Sequence, residues 1–427
     1  MNASFSPAIC ALLLAGCVST AADLDRPPIN YGAAKTDDVV ASLREKIIKG
    51  TTKLEYQDEH GYLKSLLKEL DVPLSSQVLV YSKTSLQRSR ITPKTPRAIY
   101  FNDDLMAGFC RQGNVLEITA IDSNLGPVFY TLDQNPTKSG AFTRQTESCL
   151  ICHGSSSNQG IPGHLIRSVS VDRTGEPDLS RGSKRVDHST KIADRWGGWY
   201  VTGTSGQQAH MGNQIVGGWS GLEKNAGGAN VVDLKPFFTV ANYPTPHSDL
   251  VALMVLEHQC EAHNRLTRAN YQTRLALFEQ AELNKALGEP AAYRSDGITR
   301  RINGACEAVV QYLLFCDEVQ LTEPVTGTSD FAREFAARGP FDAKKRSLRE
   351  FDLDTRIFRY PLSYTIYSKL FDGLPTEAKE RIYLRLWEVL SGKDQSKEFT
   401  HLAGAERRAV RQILRETKPG LPAYWSE

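Results

Sequence analysis

Residues 115–133 read VLEITAIDSNLGPVFYTLD. Two runs within this stretch, 115–122 and 127–133, alternate apolar with polar side chains. They are rich in β-branched and aromatic residues, the pattern of strands lying in a half-buried sheet. QVLVYS (77–82) and RAIYF (97–101) repeat it upstream. A small sheet is therefore expected. Two helical patterns precede it, VVASLREKIIKG ending at Gly50 and EHGYLKSLLKELDVP ending at Pro73. Glycine and proline are natural helix stops.

Beyond Pro246 the pattern becomes helical. A long amphipathic run begins after Ser248, which stands in the N-cap place. SDGITRRINGACEAVVQYLLFCDE, TEAKERIYLRLWEVLSG and GAERRAVRQILRETKPG continue it. Between sheet and helices, residues 154–245 are rich in Gly, Ser, Asn and Trp and weakly periodic. IRSVSVDRTGEPDLS reads as a hairpin turning at Arg173-Thr174-Gly175. DRWGGWYVTGTSG reads as a short strand with tight turns. This region cannot build a core from its own elements and is expected to wrap around something else. The fold class is α+β.

The chain has 427 residues, 51 basic and 49 acidic, for a net charge of +2. That balance offers no long-range field to steer nucleic acid or an anionic membrane. The first twenty residues differ from the rest. They carry no charged side chain and are apolar from Ala8 to Gly16, the length of a signal-peptide core and too short to span a bilayer. This stretch ends Leu14-Ala15-Gly16-Cys17, which resembles the lipobox of bacterial lipoproteins. The resemblance implies lipidation of Cys17. A plain secretory signal cut near Ala21-Ala22 is the alternative. Either route implies export to an oxidising compartment.

Past residue 17 there are six cysteines: Cys110, Cys149, Cys152, Cys260, Cys306 and Cys316. They are too few to build a disulfide scaffold of this size. Cys306 and Cys316 are expected on one helix, about 15 Å apart along its axis, too far to bond. Cys260 with Cys306 stays open.

Directly after the strand-like runs comes TRQTESCLICHGSSSNQG (143–160). Two thiols three residues apart can each add to a vinyl group on one haem edge. The next residue then lies beneath the iron, where an imidazole binds axially. Cys149, Cys152 and His153 carry this c-type haem-attachment pattern. The rival readings are a zinc clip, which lacks a second ligand pair, and a redox dithiol, which is expected to open a helix after a strand.

The stretch CLICHGSSSNQGIPGHL resembles bacterial mono-haem c-type cytochromes. That resemblance implies a single covalent haem c, with Pro162 supplying the carbonyl that holds His153 and Leu165 packing on the ring. The sixth ligand is expected at Met211, with His210, another histidine (His164, His188, His247, His258 or His263) or an open site as alternatives. Trp196, Trp199 and Trp219 are candidates to cover the haem, and Arg195 to pair a propionate. In LEHQCEAHN, Glu257 and Glu261 are one helical turn apart, and Cys260 and His263 are near neighbours. The run is read as a structural helix, with a metal half-site or haem contact as alternatives.

The expected organisation is a signal peptide over 1–17, a tether over 18–37, a small α/β region over 38–145, a loop-rich haem-binding region over 146–245 and an all-α region over 246–427. The expected function is single-electron transfer with a redox partner protein, in the periplasm or at the envelope, the only membrane contact being a lipid anchor. A haem enzyme acting on peroxide or another small oxidant, and a haem-based sensor, are the alternatives.

Overall fold

The computed structural model describes residues 24–138, 140–218 and 228–426. Its centre is a seven-stranded antiparallel sheet in the order β6-β5-β4-β3-β2-β1-β9. The strands are β1 (Val78–Val80), β2 (Arg97–Phe101), β3 (Leu105–Phe109), β4 (Val115–Asp122), β5 (Gly126–Asp133), β6 (Phe142–Arg144) and β9 (Trp199–Tyr200). The sequence pattern gives β2 and β4 to the residue. It misses β3, whose LMAGF contains no β-branched side chain.

Side-chain alternation divides the sheet into two faces. Leu79, Ala98, Tyr100, Ala107, Leu116, Ile118 and Val128 pack on α1 (Val39–Ile48) and α2 (Leu63–Glu69). Val78, Val80, Phe101, Met106 and Ile121 point the other way, into the core built around α4 (Leu250–Leu287).

Three expected boundaries change. The described part of the tether, 24–37, is packed into the fold. Tyr31 is fully buried, and its hydroxyl donates to the Pro127 carbonyl at 2.8 Å. Arg144 on β6 donates to the Tyr31 and Ala34 carbonyls. The 38–145 region does not close its own sheet, because β9 from the middle region pairs with β1. The C-terminal region is not all helix. β11 (Thr326–Gly327) pairs with β10 (Gly203–Thr204) of the middle, and residues 338–363 contain no helix.

The middle region is loop-rich as expected. Beyond β9 and β10 its elements are α3 (Leu150–His153), short 3-10 turns, and the pair β7 (Arg167–Val169) and β8 (Ser183–Arg185). Around 172–175 the chain turns where expected, with Asp172 accepting from the Thr174 and Glu176 amides.

α4 is capped by Asp249, whose side chain accepts from Ala252 N at 3.0 Å. Ser248 instead joins two strands, accepting from Leu79 N and donating to the Tyr200 carbonyl. Gly288 closes the helix in the left-handed conformation at φ 73°. Every residue from Leu250 to Asn264 is buried. A helix buried on all sides is expected to be apolar all round, yet this one carries Glu257, His258, Gln259, Glu261, His263 and Asn264. Around it stand α5 (Asp296–Leu313), α6 (Phe331–Ala337), α7 (Lys369–Asp372), α8 (Thr376–Leu390) and α9 (Gly404–Thr417). Cys316 lies beyond the end of α5, so it does not share a helix with Cys306, and the six described cysteines are free.

Because 24–37 is part of the core, Tyr31→Ala should cost about 3–5 kcal/mol in denaturant unfolding. A free tether would lose nothing at this position.

Candidate haem-attachment site

Cys149 caps α3, and Cys152 and His153 complete its single turn, which Gly154 ends. Cys149 is half-buried and Cys152 exposed. Burial, with Glu117 nearby, pushes the Cys149 thiol up to about 11. Redox-active dithiols have depressed thiol pKa values, so this cysteine stays protonated and lacks that activation.

His153 Nδ1 donates to the Gly163 carbonyl at 2.8 Å. Nε2 then carries the lone pair, and among the described residues it has no hydrogen-bond partner. The resemblance implies Pro162 as the source of such a carbonyl; Pro162 is buried, and the carbonyl that meets His153 belongs to Gly163. Phe129 of β5 lies against the imidazole, with ring centroids 4.8 Å apart. Burial lowers the basicity of His153, and the Gly163 carbonyl partly restores it.

The Gly163 carbonyl is itself held from α4. Asn264 Oδ1 accepts from His164 N at 2.8 Å, and Asn264 Nδ2 donates to the His164 carbonyl at 2.9 Å. One amide thus pairs with both polar groups of His164, as a neighbouring strand would. Gly163 permits the approach: a Cβ there would lie 2.4 Å from Asn264 Oδ1. Asn158 ties off the other end of the loop, donating from Nδ2 to the His153 carbonyl at 2.9 Å.

The motif sits beside a strip of half-buried residues on the sheet. Arg97 and Ile99 of β2, and Glu117 and Thr119 of β4, share one face and are only partly covered. Arg97 and Glu117 form an ion pair of 2.7 Å. It crosses β3 at Gly108, where a Cβ would come within 2.2 Å of the guanidinium. Both charges act on Cys149 and on His153. Leu165 is half-buried.

The remaining predicted residues divide sharply. Met211 is half-buried, with its sulfur accepting a long contact from Ser168 Oγ at 3.6 Å. His210 is turned inward. Its Nδ1 accepts from Gly212 N, and its ring meets the Trp196 indole edge-on at 4.8 Å. Arg195 is not a propionate clamp. It is 1% exposed and ion-paired with Glu257, and it also donates to the Thr190 and His188 carbonyls. Trp196 donates from its indole to the same Glu257 carboxylate at 3.0 Å, which commits its polar edge to the core. Trp199 donates to the Arg167 carbonyl. Cys17 and Trp219 lie outside the described residues.

Three of the four candidate ligands in the LEHQCEAHN run are engaged within the protein. Glu257 pairs with Arg195, Glu261 with Arg185 and Arg265, and Cys260 lies against Met106. Among the described residues no group of three or more His, Cys, Asp and Glu is placed to hold an ion. His188 and His258 are bonded to each other and so drop out as axial ligands. His188 Nε2 donates to the Cys316 carbonyl at 3.3 Å, which leaves Nδ1 to accept from His258 Nδ1 at 3.0 Å. His258 Nε2 then accepts from Ser363 Oγ at 2.7 Å. His247 is bonded to Thr328. His164 is different: among the described residues both its ring nitrogens are buried without a partner, and so is Nδ1 of His263, whose ring lies 6.2 Å away. Unpaired buried polar atoms are rare and costly.

No family model, no curated protein and no solved structure matches this chain.

Two outcomes follow from this geometry. Asn264→Ala leaves the His164 N–H and C=O buried and unpaired, so it should cost about 2–5 kcal/mol by urea unfolding; Asn264→Gln should not restore the lost stability. His188 and His258 are held neutral by burial, His188 being pulled down to about 3. The unfolded chain takes up these protons near pH 6.5, so stability should fall as pH drops below about 6.5, by up to about 1.4 kcal/mol per pH unit for each histidine. Urea midpoints from pH 7 to 4.5 would show this, and a flat profile would contradict it.

Proposed function

We propose that the protein is an exported mono-haem c-type cytochrome that exchanges single electrons with a redox partner protein. One haem c is held through thioethers at Cys149 and Cys152, with His153 as proximal ligand. The observation that carries the reading is the His153 Nδ1 bond to the Gly163 carbonyl, made on the same helical turn as both thiols. It fixes the tautomer an axial imidazole needs. When bound, a haem supplies the one-electron couple. The chain supplies the two thiols, an oriented Nε2, the Phe129 ring beside it and the half-open strip at Ile99 and Thr119.

Met211 is proposed as the sixth ligand. Met211 is half-buried and its sulfur accepts only a weak hydroxyl contact, whereas His210, His188 and His258 are engaged elsewhere. His164, with both nitrogens unpaired, is the competing ligand. The enzyme alternative needs a cation at an open distal site, and Arg195 is locked to Glu257, which favours the carrier.

Export and lipidation at Cys17 belong to the same proposal. Leu24 is already buried, and the seven residues from Cys17 reach at most about 25 Å. A lipid on Cys17 would keep the folded body close to the membrane surface.

Absorption spectroscopy of the holoprotein tests the role. A carrier gives six-coordinate, low-spin ferric iron with a methionine-to-iron charge-transfer band. Met211→Ala should abolish that band and His164→Ala should keep it. High-spin iron that takes up carbon monoxide quickly and turns over peroxide would overturn the carrier in favour of an enzyme.

A further inference from the structure

Behind the motif loop lies a cavity of about 370 Å3 between α4, α5 and residues 158–161. Five arginines line it, Arg185, Arg265, Arg268, Arg300 and Arg301, against one glutamate, Glu261. That glutamate is fully used. Arg185 and Arg265 bind its two carboxylate oxygens, and Asn264 also approaches one of them. Arg301 is drawn to Gln272 and Glu279. Arg268 and Arg300 are exposed and have no acidic partner among the described residues.

The cavity exists because α5 turns its small residues toward it. Gly304, Ala305 and Ala308 form that wall, and a Cβ on Gly304 would meet nothing within 4 Å. Like charges gathered in a concavity repel, and the surrounding low-dielectric walls strengthen the field there. Guanidinium groups also match planar oxyanions, offering paired N–H donors at fixed spacing. A volume of this size suits a small molecule rather than a single ion.

We propose that this cavity binds a small polyanion carrying two or more carboxylate or phosphate groups, with Arg268 and Arg300 as the principal free contacts. Arg185 and Arg265, fixed by Glu261, form the back of the site. The proposal does not rest on the haem reading, because none of these residues is used there. The two share a wall: Asn158 and Asn264 line the cavity and also hold the ends of the motif loop.

The test is calorimetric titration of the full chain with citrate, pyrophosphate and inorganic phosphate, each against sodium chloride at matched ionic strength. Saturable binding of citrate or pyrophosphate is expected, at least tenfold tighter than inorganic phosphate. Whichever of citrate and pyrophosphate binds tighter identifies carboxylate or phosphate as the natural group. Arg268→Ala combined with Arg300→Ala should weaken it at least tenfold. Gly304→Leu, which fills the cavity from an open position and favours the helix, should abolish binding while unfolding no earlier than the parent. No saturation beyond the chloride control would overturn the proposal. So would binding that survives both variants.

Discussion

The side-chain amide of Asn264 does the work of a missing β-strand. It pairs with the N–H and the C=O of His164, and so fixes the carbonyl of the preceding Gly163. That carbonyl sets the tautomer of His153. The motif loop is also closed locally, with Gly163 N and Asn158 Nδ2 both donating to the His153 carbonyl. The orientation of the imidazole is therefore tied in part to α4, more than a hundred residues further along the chain.

The same principle holds for most polar side chains of the buried segment of α4, His263 Nδ1 being unpaired among the described residues. Each polar side chain there would be costly alone. Glu257 holds Arg195 and Trp196, and His258 holds His188. Gln259 donates to the Asn102 carbonyl and accepts from the Tyr364 hydroxyl. The loop-rich middle cannot bury a core by itself. It is ordered by returning its backbone carbonyls and charged groups to these side chains. The buried Arg195–Glu257 pair is specific rather than strongly stabilising, because desolvation offsets most of the Coulomb attraction. Its value lies in the register it imposes on residues 187–196.

Local patterns were legible in the sequence, and long-range partners were not. Alternation in RAIYF and VLEITAID marks β2 and β4 because one face of each is only partly covered. β3 is buried along its full length and contains Ala and Gly, so neither alternation nor propensity reveals it. The capping residue of α4 was missed by one position because Ser248 and Asp249 both suit an N-cap, and Ser248 is taken by two strands. Cys149, Cys152 and His153 stand out in the sequence because their spacing is the pattern that the proposed attachment needs. Arg195 and Trp196 looked like haem contacts because nothing local shows Glu257, some sixty residues away, claiming both. Asn264 and Gly163 were overlooked. Their signal was present in LEHQCEAHN, a polar run with no polar face to put in water.

The proposed haem would be held by covalent chemistry at a single helical turn. Intact-mass measurement on the denatured chain, matured in a host with haem-ligation machinery, tests it most directly. A mass raised by one haem is expected, with the increment lost in the double variant Cys149→Ala, Cys152→Ala. An unmodified polypeptide mass from the parent chain under those conditions would contradict it.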